Sequence, residues 1–152
     1  MSDNLSSRLP RVCTVVFLLC AAAMAAGAGE IKLEAQLIWG TTNSVSPNPK
    51  HKPAQKDVER KLQEQPFKWK HYFEVNRVGF TVPDGEQKSV PVSKNCSLQV
   101  KSVGGQKVEV TLIGKGKETG KITQALPKGE LLVVGGNAEN ATAWFVVLKQ
   151  AE

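Results

Sequence analysis

The side chains that most often supply a general base, a nucleophilic thiol or a soft metal ligand are scarce: His51, His71, Cys13, Cys20 and Cys96 are all the chain has. A serine nucleophile needs an imidazole within hydrogen-bond reach and a carboxylate to orient it, and no G-x-S-x-G elbow occurs to present one. His51 falls in a proline-rich stretch. His71 falls among aromatic residues, where a packed, hydrogen-bonded sheet position accounts for it better than a base without a matched nucleophile. A zinc site needs about four ligands, with Cys or His pairs at short spacing, and the separated histidines and Cys96 do not provide them. The run Gly114-Lys115-Gly116-Lys117-Glu118-Thr119-Gly120-Lys121 has the composition of a phosphate loop. However, the glycine required five places before Gly120 is Lys115, and Ile122 replaces the magnesium-binding hydroxyl. It reads as a solvated hairpin turn. Asp57, Glu59 and Glu64 belong to a polar helix face and Glu34, Glu74 and Glu109 to strand exteriors, so no carboxylate pair for glycoside hydrolysis stands out. These patterns assign no catalytic, cofactor or metal residue, and the expectation is a protein that is not an enzyme.

The charge pattern carries more. Of 152 residues, 20 are Lys or Arg and 14 are Asp or Glu, a formal net charge of +6. That modest surplus suits an anionic surface polymer or an envelope protein as a partner. Part of it is concentrated in Lys50, Lys52, Lys56 and Arg60, with His51 and Lys61 beside them. Lys68 and Lys70 follow on the non-core side of an aromatic strand, where Tyr72 shares their parity. Basic residues interleaved with an exposed aromatic can track an anionic polymer. Lys50, Lys52, Lys56, Arg60, Lys68, Lys70 and Tyr72 are therefore the candidate contact residues, set against the plainer reading of a solvated basic face. Trp39, Trp69 and Trp144 could stack on a sugar, but each sits in an apolar strand pattern that predicts core packing. Cys96 lies on an apolar strand face and is expected to be a buried, inert thiol.

Residues 1–28 read as a cleaved signal peptide. Arg8 and Arg11 precede an apolar run from Val12 to Ala26 that, at about 15 residues, falls short of the roughly 20 that span a bilayer. Ala26-Gly27-Ala28 fits the small-residue cleavage rule and places the cut before Gly29. Leu19 is too bulky before Cys20 for lipidation to be expected there. The mature chain, 29–152, has no later apolar stretch of membrane-spanning length, so it is expected in the periplasm or outside the cell, with no membrane span and no nucleic acid as partner. It keeps one cysteine, Cys96, so packing rather than disulfides must stabilise it. Asn95-Cys96-Ser97 and Asn140-Ala141-Thr142 match the glycosylation acceptor, which matters only in a eukaryotic secretory route.

The elements that must position these residues are almost all strands. Ile31, Leu33, Ala35 and Leu37 alternate with Lys32, Glu34 and Gln36, the period of a half-buried strand. Residues 40–53 form a loop rich in Pro, Ser and Asn. A short helix is predicted over 54–65, with Val58 and Leu62 as its apolar stripe and Pro66 as its stop. Phe67, Trp69, His71, Phe73 and Val75 share one parity, which reverses at Val78, Phe80 and Val82. Either a hairpin turn at Asn76-Arg77 or a bulge within one long strand explains the reversal. Further strands are expected around 88–92, at Cys96-Leu98-Val100, at Val108-Val110-Leu112 and at 122–126. A three-residue loop Val103-Gly104-Gly105 would pair Val100 with Val108, Leu98 with Val110 and Cys96 with Leu112. Leu131–Val134 and Ala143–Leu148 are apolar at every position, the mark of central strands covered on both sides.

Seven to nine short strands with turn signals between them predict an all-β fold, an antiparallel β-sandwich. With the signal peptide, the strand ending in Val82-Pro83-Asp84-Gly85 and the run Cys96-Ser97-Leu98-Gln99-Val100, the chain resembles exported bacterial proteins with immunoglobulin-like sandwiches and no assigned activity. The resemblance implies a scaffold or binding role in the envelope and transfers no functional residues. The expectation is thus an exported β-sandwich that acts by binding or assembly. The alternative is an accessory or degenerate hydrolase domain with a site near the 40–56 loop.

Overall fold

The computed structural model describes residues 29–137 and 142–151; the expected signal peptide, Cys13, Cys20 and the acceptor at Asn140 lie outside them. The alternation of Ile31, Leu33, Ala35 and Leu37 gives strand β1 (Glu30–Thr41) one face that is apolar throughout. It pairs antiparallel with β3 (His71–Pro83) on one side and β9 (Ala143–Gln150) on the other. Strands β2 (Lys52–Pro53) and β8 (Leu132–Asn137) complete a five-stranded sheet in the order β2-β3-β1-β9-β8. Consecutive antiparallel hairpins form a second sheet from β4 (Gln87–Ser93), β5 (Cys96–Ser102), β6 (Lys107–Gly114) and β7 (Lys117–Ala125). The sheets meet in one apolar cluster, to which the first contributes Leu33, Leu37, Val82 and Leu148 and the second Val92, Leu98, Val100 and Val110. Alternating inward side chains from two facing antiparallel sheets are what a β-sandwich core consists of.

The opposite face of the five-stranded sheet is covered as well. Helix α1 (Lys56–Gln63), which the Val58/Leu62 spacing predicts, buries both of those side chains against it. They join Ile38, Ala54, Trp69, Tyr72 and Phe145 in a second cluster. No side chain caps the helix at Gln55, and eight residues are too few to hold a helix in water. Docking holds it, at about 1.5–3 kcal/mol for each buried aliphatic side chain. This cover overturns two exterior assignments. Gln36 is fully buried, and Tyr72, expected in the open beside Lys68 and Lys70, is 3% exposed with its hydroxyl donating to the Trp69 carbonyl at 3.3 Å. Strand parity sorts residues between two faces but does not say that a distant helix covers the polar one.

The parity reversal in β3 is a bulge. Leu37 pairs with Asn76 and Ile38 with Glu74, which leaves Val75 as the extra residue in one continuous strand. No turn forms at Asn76-Arg77; Arg77 instead pairs with Glu34 and Glu74. Between β5 and β6 the register lies two residues beyond the expected one: Val100 pairs with Val110, Leu98 with Leu112 and Cys96 with Gly114. A slip of two keeps every side chain on its face, so the expected apolar agreement survives a wrong loop length. Lys115 and Gly116, with φ of 50° and 76°, close β6 onto β7 in two residues, and pairing resumes at Lys117 where a longer turn was expected. Strand β9 is interior and buried from Phe145 to Leu148, but β8, with a similar apolar run, is an edge strand and not a central one. Cys96 is half-buried at the rim of the inter-sheet cluster rather than enclosed by it.

Candidate ligand-binding surface

Strand register sets Trp39 of β1 opposite Trp144 of β9 and, on its other side, opposite Phe73 of β3. Directly opposed residues share a face, so three rings stand in a row across the sheet. Trp39 lies 6.0 Å from Phe73 with 35° between the ring planes and 6.4 Å from Trp144 with 33°. Next in line on β8 is Gly136, opposite Trp144, with nothing within 4 Å of where a β-carbon would stand. Parity with Leu37 and Val146 puts the row on the side that faces the second sheet, yet its rings are not part of the inter-sheet cluster. Phe73 is buried, Trp39 half-buried and Trp144 41% exposed. Of the three tryptophans expected in the core, Trp69 is buried as expected, whereas Trp144 opens to solvent.

The loop after β1 edges this row. His51 meets Trp39 edge-on, with centroids 6.0 Å apart and planes at 62°. Its Nδ1 lies 2.8 Å from the Ser46 hydroxyl, which also accepts the Asn48 N–H at 3.3 Å, and the His51 N–H donates to the Asn48 carbonyl at 3.1 Å. These bonds pin the loop and aim the imidazole. No motif in the sequence singles out Ser46, and the contact follows only from how the loop folds back. Among the described residues no carboxylate bonds the His51 ring, so the pair lacks the third member of a catalytic triad.

The candidate contact residues do not form one face. Lys50 adjoins His51 at the rim of the row, and the Lys70 N–H bonds the Thr41 carbonyl at the same end of β1. Lys52 stands opposite Glu74. The Lys68 ammonium is 5.6 Å from the centroid of Trp69, a ring of the helix-side cluster. Arg60 lines a groove of about 180 Å³ together with Asp57, Lys61, Glu64 and Glu130, where the charges are mixed. Lys56 opens α1. All six basic side chains are exposed, and none forms an ion pair among the described residues. Tyr72 is not available as a contact; burial, and then Glu59, push its phenol above the ordinary value near 10.

The structure also assembles charges that the sequence left scattered. Arg77 bridges Glu34 at 3.3 Å and Glu74 at 2.5 Å, and Lys149 reaches Glu34 at 3.8 Å and Asp57 at 3.6 Å. The hydrogen bond to Glu74 holds the Arg77 guanidinium more firmly charged. Beneath them the Gln36 amide donates to Glu34 at 2.8 Å and Gln55 at 3.1 Å. The network ties α1 to β1, β3 and β9. Burial pushes the Cys96 thiol up, away from the thiolate that reactivity requires. Among the described residues no group of three or more His, Cys, Asp or Glu side chains could hold a metal ion, and no helix is long and apolar enough to cross a membrane. Comparison with protein-family models, curated proteins and solved structures finds no match to this chain.

Proposed function

We propose that the chain is an exported β-sandwich that acts by binding in the periplasm or extracellular space, and that it holds an anionic polysaccharide of the envelope against Trp144 and the half-buried Trp39, with the buried Phe73 behind them. The observation that carries this reading is the pair of solvent-reached indoles, Trp144 at 41% exposure and the half-buried Trp39, with ring centroids 6.4 Å apart on one face of the sheet. Aromatic faces carry negative charge density and attract the polarised C–H bonds of a sugar ring. Lys50 at the rim and the unpaired Lys70 at the same end of the sheet supply the counter-charge for carboxylate or sulfate groups. The two-layer antiparallel architecture supports the β-sandwich part of this reading; the resemblance to immunoglobulin-like exported proteins rests on the sequence, and β4 to β7, consecutive hairpins within one sheet, add nothing to it.

Intrinsic tryptophan fluorescence tests the reading directly, with oligomers of alginate and of cellulose titrated at low and high salt. The alginate oligomers are expected to shift the emission, less so at high salt, and Trp144→Ala to abolish the response; an unresponsive wild type, or a variant that binds equally well, overturns it. One contact favours the hydrolase alternative, the Ser46 hydroxyl 2.8 Å from His51. Turnover of p-nitrophenyl acetate that disappears in both Ser46→Ala and His51→Ala would establish that alternative.

A further inference from the structure

Gly29 and Asp84 meet at a corner where the two sheets come together. The Asp84 N–H donates to the Gly29 carbonyl at 2.7 Å, which carries the β1–β3 pairing one step past Glu30 and Pro83. Asp84 is the second residue of the turn Pro83-Asp84-Gly85-Glu86, closed by the Glu86 N–H on the Pro83 carbonyl at 3.0 Å and permitted by Gly85 at a φ of 80°. On its other side it bridges to Ser102, the last residue of β5. The buried Ser102 hydroxyl donates to Asp84 Oδ1 at 2.6 Å, and the Gly85 N–H donates to the Ser102 carbonyl at 2.9 Å. Contacts from both sheets thus hold the carboxylate in place.

Its second oxygen is unused. Among the described residues Asp84 Oδ2 accepts no hydrogen bond, and no Lys or Arg pairs with this carboxylate. That oxygen lies against Gly29, where a β-carbon would stand 2.6 Å from it. In glycine the position is open, and the residue's own nitrogen can reach it. Rotation about the Cα–C bond moves the nitrogen while leaving the carbonyl, and its bond to Asp84, where they are. An N–Cα bond of about 1.46 Å is close in length to a carbon–carbon bond, so a nitrogen swung there lies near the charge-assisted hydrogen-bond distance of about 2.7–2.9 Å from Oδ2. While Ala28 precedes Gly29 that nitrogen is a neutral amide and carries no charge to offer.

We propose that removal of residues 1–28 arms a lock: the α-ammonium freed on Gly29 pairs with the Asp84 carboxylate and, through Ser102, ties the start of β1 to the second sheet. The inference rests on the export reading and its cut before Gly29. Hydrolysis of the Ala28–Gly29 bond by a peptidase adds one water, leaves a carboxylate on Ala28 and frees the amino group of Gly29, which takes up a proton at neutral pH. The contact therefore exists only in the processed chain. A cut one residue to either side would carry the ammonium away from Oδ2 or remove the glycine whose carbonyl Asp84 holds.

The full chain, exported by a bacterial host with its own leader, provides the test. Mass spectrometry of the purified product is expected to find Gly29 first. An unprocessed chain rejects the export reading and the lock with it, whereas another first residue overturns the lock alone. With Gly29 first, acetylation by an N-hydroxysuccinimide ester at pH 7 reads the pairing, because only free amine reacts and a paired ammonium gives up its proton less readily. The N-terminal peptide should be acetylated about two- to fivefold faster in Asp84→Asn than in wild type. Glu30→Gln and Glu86→Gln, which remove the other acids of this corner, should react at the wild-type rate. The amide of Asp84→Asn still accepts from Ser102, which preserves the corner. Its urea midpoint should match that of wild type acetylated at the N-terminus alone, about 0.1–0.5 M below the unmodified protein. Equal acetylation rates, a wild-type midpoint unmoved by acetylation, or an equal drop on acetylating Asp84→Asn overturns the proposal.

Discussion

Two neighbouring glycines of β8 should respond to the same substitution with opposite sign. At Gly135 an added methyl group would lie 2.5 Å from the Trp144 carbonyl oxygen, 2.7 Å from Phe145 Cδ1 and 2.9 Å from Phe145 Cα. Two of these three atoms are backbone, so relief means prising β8 from β9 by nearly 1 Å rather than turning a side chain. Overpacking of that kind costs about 1–3 kcal/mol. At Gly136 nothing lies within 4 Å and φ is not positive, so the methyl group costs the folded state nothing while restricting the unfolded chain, a gain of about 0.4–1 kcal/mol. The two variants should therefore differ by roughly 1.5–4 kcal/mol. Urea unfolding followed by tryptophan emission reads this directly. With a slope of about 1–3 kcal/mol/M the midpoints of Gly135→Ala and Gly136→Ala should fall on opposite sides of wild type, separated by about 1 M. Coincident midpoints, or a more damaging change at Gly136, would refute the close approach of β8 to β9.

Other consequences concern the covered face and the thiol. Leu62→Ala should cost about 2–5 kcal/mol, because Leu62 is one of only two side chains of α1 buried on the sheet; a midpoint within error of wild type would mean that the helix does not dock. The Tyr72 phenol holds its proton more tightly when folded, so the stability it contributes is complete below the ordinary value near 10 and is lost as pH rises through the folded value. Tyr72→Phe should lose about 1 kcal/mol at neutral pH with the bond to the Trp69 carbonyl, yet decline less steeply than wild type in urea melts carried above pH 10; parallel declines would contradict the burial. Cys96, raised by burial, should react with a disulfide reagent more slowly in the folded chain than in urea at neutral pH and catch up as pH rises. Equal rates at neutral pH would show an open thiol.

What could be read in advance divides along physical lines. The period of two in Ile31–Leu37, Leu98–Val100 and Val108–Val110 determined which side chains face the inter-sheet core, because alternation is a property of the strand alone. Val58 and Leu62, one helical turn apart, likewise determined the apolar side of α1. The β5–β6 register was legible only modulo two: both pairings hide the same faces, and the loop, not the pattern, chooses between them. Whether parity reversed through a turn or a bulge at Val75 depended on β1 lying alongside, since an isolated strand gains nothing from continuing past the break.

The candidate surface was less legible still. The positions of Trp39, Trp144 and Phe73 on apolar strands are in the sequence, but their alignment required the order β3-β1-β9, which joins residues about a hundred positions apart. Their unequal exposure depended on the second sheet leaving that row outside the shared core. The basic residues were equally visible as a cluster along the chain, yet folding sent His51, next to Lys50, to the aromatic row, Lys68 to Trp69 and Arg60 into a groove of mixed charge. Local sequence thus determined the secondary structure and its apolar faces, which obey short-range periodicity. Tertiary structure alone decided which faces met, what covered Tyr72 and Gln36, and which strands lay at an edge, because those outcomes depend on contacts between segments whose separation in sequence carries no geometric record.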